Sequence, residues 1–426
     1  MSFNFDNQNI INNMYKGSFG IEKESLRVNK DGFLSHTSHP FGSNPHIDRD
    51  FCENQVEIVT DVFGDTSSVF NQLSDLHNTV VKKLLNLESG GEILWLFSNP
   101  PYVKGESDIP IANFKGSLKG KEIYRKYLAE KYGKKKMLFS GIHFNFSFAD
   151  ELLKCGFYDS KADNFADYKN NLYLELAKKM TKYSWLIVYL TAASPIMDGS
   201  YFDDRAIGKS VVTPFSSARC SKIGYWNEFT PILNYNNLES YVNSIQQYID
   251  DGLLKSASEL YYPIRLKPQG ANSIENLKTT GINHIELRML DLNPLSPVGI
   301  FKEDMDFLHM LILYMTSLDD EDFSESEQIC AIKNVKQAAE YDDENTFINL
   351  DGEKIPLKSA ALDVLCDMQK FFEKHNQHNA LNIIDYQKNK ITDKSKRYVE
   401  IIRKNFSKNY VENGIRLSMK YADRSD

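Results

Sequence analysis

Apolar and polar positions alternate with a period of two in several stretches of the chain and recur every three to four residues in most of the rest, so an α+β fold is expected. In the stretch 20–28, GIEKESLRV, strand alternation puts Glu22 and Glu24 on one face and Ile21 and Lys23 on the other. Asn29-Lys30-Asp31-Gly32 supplies turn residues, after which Phe33 and Leu34 are expected to return as a hairpin. Over 55–60, Val56, Ile58 and Thr60 alternate with Gln55 and Glu57. From Asp65 the spacing of Val69, Phe70, Leu73, Leu76, Val80, Leu84 and Leu87 predicts a helix capped by Asp65 or Thr66 and ended by Gly90-Gly91. A buried strand is expected over 93–97, a long surface loop over 102–120, and a basic helix over 121–132.

The stretch 137–148, MLFSGIHFNFSF, reads as a strand with Ile142, Phe144, Phe146 and Phe148 on one face and His143, Asn145 and Ser147 on the other. A single long helix is predicted over 165–190, then a loop-rich region over 197–236, a helix over 238–254, and a strand over 259–265 interrupted by Pro263. Within 281–297 alternation groups His284, Glu286 and Arg288 against Ile285, Leu287 and Met289. From residue 300 the pattern is helical: 301–317, 324–341, 357–375 and, after Asp393, two more helices to Tyr421. The part up to 299 therefore carries the sheet, and the part from 300 to 426 is expected to pack against it in one domain.

The net charge is −8, from 58 acidic and 50 basic residues, which disfavours a nucleic-acid partner or an anionic membrane surface and favours small molecules. Five cysteines without C-x-x-C spacing indicate neither a disulfide framework nor a zinc site, so free thiols and a cytoplasmic location are expected. The start lacks a secretory pattern, and the longest apolar run, 185–193, is too short to span a bilayer.

Taken singly, the ionisable groups are ambiguous. Glu22 and Glu24 suit a solvated acidic strand as well as a shared cation or proton. His143 suits a satisfied core histidine, although a polar face in so aromatic a protein favours a lined cavity. His284, Glu286 and Arg288 suit either a site or a salt-bridged surface, and Arg219 and Tyr225 either a site or a solvated loop.

Seven blocks then stand in order: GIEKESLRV at Gly20, DFCENQVEIVT at Asp50, SGIHFNFS at Ser140, ASP at Ala193, ARCSKIGY at Ala218, ELYYPIR at Glu259 and IELRMLDLNPLSP at Ile285. Together they resemble the bacterial glutamate-cysteine ligases of the proteobacterial type. The resemblance implies a glutamine synthetase-like carboxylate-amine ligase, with a curved, mainly antiparallel sheet forming a funnel and helices outside. It implies ATP as co-substrate, Mg²⁺ or Mn²⁺ as cofactor, L-glutamate and L-cysteine as substrates, and a monomer or small homo-oligomer. Carried over by position, it makes Glu22, Glu24, Asp50, Glu57, His143 and Glu286 metal ligands. Arg125 and Arg288 become catalytic residues facing the transferring phosphate, with Arg265 beside them at the nucleotide. Phe51, Tyr124, Arg219 and Tyr225 become acceptor-binding residues, Arg219 suited to a carboxylate.

Two departures accompany the resemblance. Met137 stands where the enterobacterial-type enzymes carry a glutamine, which leaves open a γ-glutamyl ligase with a different amine acceptor. The chain is also shorter than those enzymes and lacks the extension of fused glutathione synthases, so the dipeptide is the expected product. A metal-dependent hydrolase and a non-catalytic relative are the competing classes. Segment 104–121 is the expected lid, and Cys52 is expected to pack rather than react.

Overall fold

The computed structural model describes residues 2–423. Its main sheet is built from β1 (Gly17–Val28), β2 (Ile47–Arg49), β3 (Gln55–Val59), β4 (Ile93–Leu94), β5 (Gly141–Phe148), β6 (Ile264–Lys267) and β7 (His284–Asp291). The order is β2-β3-β1-β5-β7-β6, every pair antiparallel, with β4 paired to the far end of β1. The expected α+β, antiparallel architecture is present. The path is open at β2 and β6, so the sheet does not close into a full funnel.

One sheet face is apolar. Ile21, Ile58, Ile142, Phe144, Phe146 and Phe148 are buried in a core that also takes in Leu308, Leu311, Leu365 and Phe372 from the helical part. The helix Thr66–Leu85 joins this core through Val69, Leu73, Val80 and Leu84, and the Asp65 side chain caps it by accepting from Ser68 N at 2.8 Å. It ends at Leu85, ahead of the expected glycines.

Several predicted elements are cut short or broken, each for a local reason. The return after Gly32 is a single bridge, Val28 to Leu34. The 93–97 strand stops at Leu94, and Trp95 and Phe97 turn to pack against Tyr410. In 137–148 the strand starts only at Gly141, because Lys136–Leu138 forms a tight turn. The helix over 165–190 divides at Tyr183 into Phe165–Lys182 and Ser184–Thr191. There the Thr181 and Ser184 hydroxyls donate back to Ala177 O at 2.7 Å and Met180 O at 2.8 Å, a substitution that bends helices.

The carboxyl-terminal part is not wholly helical. Phe347–Leu350 and Glu353–Pro356 form a hairpin across Asp351-Gly352, both at positive φ (54° and 85°), the two-residue turn that Asp-Gly favours. The helix His378–Thr392 was also absent from the sequence reading. Its buried stripe includes Gln387 and Lys390, which disguise it as polar; both side chains donate to Asp304, at 3.0 and 2.8 Å. The 102–120 segment is not simply surface, since Ile109, Ala112 and Phe114 are buried. No helix among the described residues is long and apolar enough to cross a membrane.

Candidate active site

The polar face of the sheet is set by register. On β1, Glu24 stands opposite Glu57 of β3, and Glu22 stands opposite His143 of β5. Farther across, Asn145 stands opposite Glu286 of β7, which in turn stands opposite Arg265 of β6. Opposed residues share a face, so strict alternation on five strands delivers one continuous polar strip. A bulge modifies it: between Phe144–Leu287 and Ile142–Leu290, His143 alone opposes Arg288 and Met289. The bulge returns Leu290 to the apolar face, which unbroken alternation from Glu286 would not do.

This strip floors a cavity of about 500 Å³, and every residue named above as metal ligand, phosphate-facing group or acceptor contact lines it. Its walls differ in charge. On one side stand Glu22, Glu24, Asp50 and Glu57. Burial and the neighbouring Asp50 push the Glu24 carboxyl up to about 8, and burial with Asp50, Glu22 and Glu24 pushes Glu57 well above the usual carboxylate range. On the other side Glu286 meets three cations. Against the burial that would raise it, Arg288 and Lys267 hold its carboxyl well below the usual range.

His143 joins the walls. Burial and Arg288 depress its pKa, so it is neutral, and its Nδ1 lies 3.0 Å from Glu22 Oε2. The same Nδ1 lies 3.4 Å from Arg288 Nη1, and Nε2 lies 3.6 Å from Glu24 Oε1. Buried His143 Nε2 and Glu286 Oε1 have no hydrogen-bond partner. Glu22, His143 and Glu286 offer ligand atoms within 4.8 Å of one another. Hard carboxylate oxygens with one imidazole, crowded so that they repel, fit a divalent cation of the Mg²⁺ or Mn²⁺ kind.

The arginines are held firmly. Arg125 donates from Nε to Asp50 O, from Nη2 to Arg49 O at 3.3 Å and from Nη1 to Lys121 O at 3.1 Å, with its guanidinium over the Phe114 ring. It therefore pins the turn that carries Asp50 and Phe51. Arg265 donates to Leu260 O at 2.8 Å and Ser258 O at 2.7 Å, while its Nη1 lies 3.9 Å from Glu286. Arg219 donates to Arg288 O at 2.7 Å and lies across Gly141 so closely that a Cβ there would sit 2.3 Å from its Cζ. The Gly141 N–H in turn donates to Glu24 Oε2 at 3.0 Å. The Tyr225 ring leans at 43° against Tyr261, centroids 4.1 Å apart, beside Arg219.

Sequence reasoning missed Lys267, Lys121, Tyr261 and Asn272, all in the lining. Lys267 was within reach of alternation, two residues beyond Arg265 on β6. His284, grouped by alternation with Glu286, is not in the lining; its Nδ1 contacts Asn283 Oδ1 at 3.1 Å.

Comparison with known proteins agrees with this geometry. The family model described as glutamate-cysteine ligase matches residues 4–252 and 247–338. The glutathione biosynthesis bifunctional protein GshAB of Listeria monocytogenes is 35% identical over 97% of this chain and 55% of its own length. That of Clostridium perfringens is 34% identical over 95% of this chain and 54% of its own. The chain thus spans about half the length of the curated relatives it matches. Among solved structures, a bifunctional glutathione synthetase from Pasteurella multocida superposes with a TM-score of 0.84 at 28% identity, covering 98% of this chain and 54% of that one. A glutamate-cysteine ligase from Francisella tularensis, solved with AMP, shares the fold with a TM-score of 0.85 at 24% identity, covering 96% and 89%. By the extent of the family match and the identity held along nearly its whole length, the chain belongs to the glutamate-cysteine ligase family.

Proposed function

We propose that the protein joins the γ-carboxylate of L-glutamate to the amino group of L-cysteine at the expense of ATP, giving γ-glutamylcysteine, the first step of glutathione biosynthesis. The observation that carries this reading is the division of a single cavity into an acidic wall, a cationic wall and an aromatic corner with Arg219. In the reaction, a γ-carboxylate oxygen attacks the γ-phosphorus of ATP, the bond to the β–γ bridging oxygen breaks, and ADP leaves. The cysteine nitrogen then attacks the acyl carbon of γ-glutamyl phosphate, inorganic phosphate leaves, and the nitrogen loses a proton.

Such a transfer brings several anions together. Divalent Mg²⁺ or Mn²⁺, for which Glu22, Glu24, Asp50, Glu57, His143 and Glu286 are the ligand set, would neutralise phosphate charge and align the phosphoryl group. Arg288, kept charged by Glu286 and Glu24 despite its burial, stabilises charge that builds on the phosphoryl oxygens. Arg125 orients the Asp50 turn, and Arg265 fixes the 258–260 backbone at the nucleotide side. Arg219 offers its remaining donors to the acceptor carboxylate, while Phe51, Tyr124 and Tyr225 enclose the acceptor and exclude water. The sheet part and the helical part share one apolar core, which supports treating them as one catalytic unit. All five cysteines are unpaired, in keeping with a cytoplasmic enzyme.

A different amine is the second reading, favoured by one observation: buried Met137 lines the cavity with Phe139 and Leu128, an apolar patch. The test incubates the protein with ATP, Mg²⁺ and glutamate and follows ADP and peptide across a panel of amines. Glutamate-dependent ADP release with cysteine as best acceptor is expected. ADP release independent of glutamate, or no γ-glutamyl product with any amine, overturns the proposal; a better acceptor than cysteine selects the second reading.

A further inference from the structure

The cationic wall carries more charge than its carboxylate neutralises. Glu286, 0% exposed, faces Arg288 Nη1 at 3.0 Å and Arg265 Nη1 at 3.9 Å from Oε2, and Lys267 Nζ at 3.3 Å from Oε1. The three cations are tethered unequally. Arg265 is fixed by the carbonyls of Ser258 and Leu260, and Arg288 makes a hydrogen-bonded ion pair with Glu286. Lys267 meets Glu286 Oε1 by charge alone, since that buried oxygen has no partner in hydrogen-bond geometry. The same oxygen is the one turned to His143, at 3.9 Å from Nδ1, within the Glu22, His143 and Glu286 group that fits a divalent cation. Two positive charges, Lys267 and the cation, thus have a claim on one oxygen.

Resting on the ligase reading above, we propose that Lys267 is a positioning residue that competes with the divalent cation for Glu286 Oε1 and turns to the phosphate oxygens of the nucleotide when the cation takes that oxygen. An ammonium on a four-carbon stem suits such an exchange. It is a compact charge on rotatable bonds, whereas a guanidinium would fork onto both carboxylate oxygens and hold them. Lys267 lines the cavity together with Ser258 and Asn272, so a nucleotide bound in that cavity comes within reach of its flexible stem. The exchange also keeps charge balanced, because Glu286 is never left between three cations and a fourth.

The test reads binding. Free Mn²⁺ is followed by electron paramagnetic resonance with no nucleotide added, and a non-hydrolysable ATP analogue with Mg²⁺ is titrated by calorimetry, for the wild type, Lys267→Met, Lys267→Gln and Lys267→Arg. For Lys267→Met and Lys267→Gln, Mn²⁺ affinity should rise about tenfold while analogue affinity falls roughly 10- to 100-fold, the range for losing a charge-assisted contact. Lys267→Arg should retain analogue binding and weaken Mn²⁺ binding. Both affinities falling together, as a structural lesion would cause, or both unchanged, overturns the proposal; Lys267→Gln serves if Lys267→Met fails to fold. Opposite shifts in a protein that makes no γ-glutamyl product would overturn the ligase reading and leave the competition standing. Product formation without the shifts would do the reverse.

Discussion

The two faces of β1 handle charge in opposite ways. Toward the cavity, Glu22 and Glu24 stand among carboxylates, arginines and His143: burial and then Asp50 raise Glu24 to about 8, whereas, against burial and Glu286, His143 and Lys267 hold Glu22 below its ordinary value. Toward the core, Lys23 is 1% exposed and its Nζ lies 2.9 Å from His77 Nδ1, with no carboxylate in ion-pair range among the described residues. Burial lowers Lys23 to about 7, and burial with Lys23 lowers His77 well below its usual value. Adjacent residues on one strand are thus treated differently: the core neutralises Lys23 by burial with no countercharge beside it among the described residues, whereas the cavity holds several carboxylates and cations that shift one another in both directions. The difference supports the binding role proposed for the acidic strip, since a protein that only had to fold would have no use for so many crowded carboxylates.

Glu24→Gln gives the largest expected effect and tests the cavity side of the contrast. The amide oxygen can still accept from Gly141 N–H, but a proposed ligand and its charge are lost. Turnover should fall roughly a thousandfold or more, the cost of several kcal/mol of charge stabilisation. The melting temperature without divalent cation should be unchanged or higher, because repulsion with Asp50 is relieved. Near-normal turnover, or a protein that unfolds, would make Glu24 an ordinary structural residue and remove the contrast.

The next effect sharpens the corner where β5 begins. Arg219→Met should raise KM for the amine acceptor roughly 10- to 100-fold, the range for losing a charge-assisted hydrogen bond, with a smaller change in KM for ATP. Gly141→Ala should reproduce part of it, since its Cβ would lie 2.3 Å from the Arg219 Cζ and must displace the guanidinium. If initial-rate kinetics show Gly141→Ala raising KM for ATP instead, Arg219 does not serve the acceptor.

How much of this was legible follows from where each residue sits. Glu22, Glu24, Glu57, His143, Glu286 and Arg288 lie on strands, where a period of two assigns faces without tertiary information. Asp50, Phe51, Arg219 and Tyr225 lie in turns and loops, and Tyr124 and Arg125 on a helix. No periodicity marks those six, and only the resemblance picked them out. The bulge at His143 leaves no trace in the alternation, because a bulge is settled by pairing between strands distant in sequence. The Asp351-Gly352 hairpin was legible as turn chemistry, yet the helical periodicity on either side masked it.

The smallest effect tests the core face and is a matter of pH. Lys23 has a folded pKa of about 7 against an unfolded value of about 10.4, so folding releases a proton between these limits. Stability contributed by the neutral amine is full above the upper limit and is lost as pH falls toward the lower one. Lys23→Met removes the titration while keeping the length of the side chain. The stability of the wild type relative to Lys23→Met should therefore rise with pH, approaching about 1.4 kcal/mol per pH unit and gaining about 2 kcal/mol between pH 7 and 9 by urea unfolding. Groups that titrate in both proteins, the buried tyrosines and cysteines among them, cancel in this difference. Turnover of Lys23→Met at pH 7 should stay within about twofold of the wild type, because Lys23 projects away from the cavity. A pH-independent difference would mean that Lys23 keeps its charge inside the core, and the two faces of β1 would then differ in geometry but not in how they treat charge.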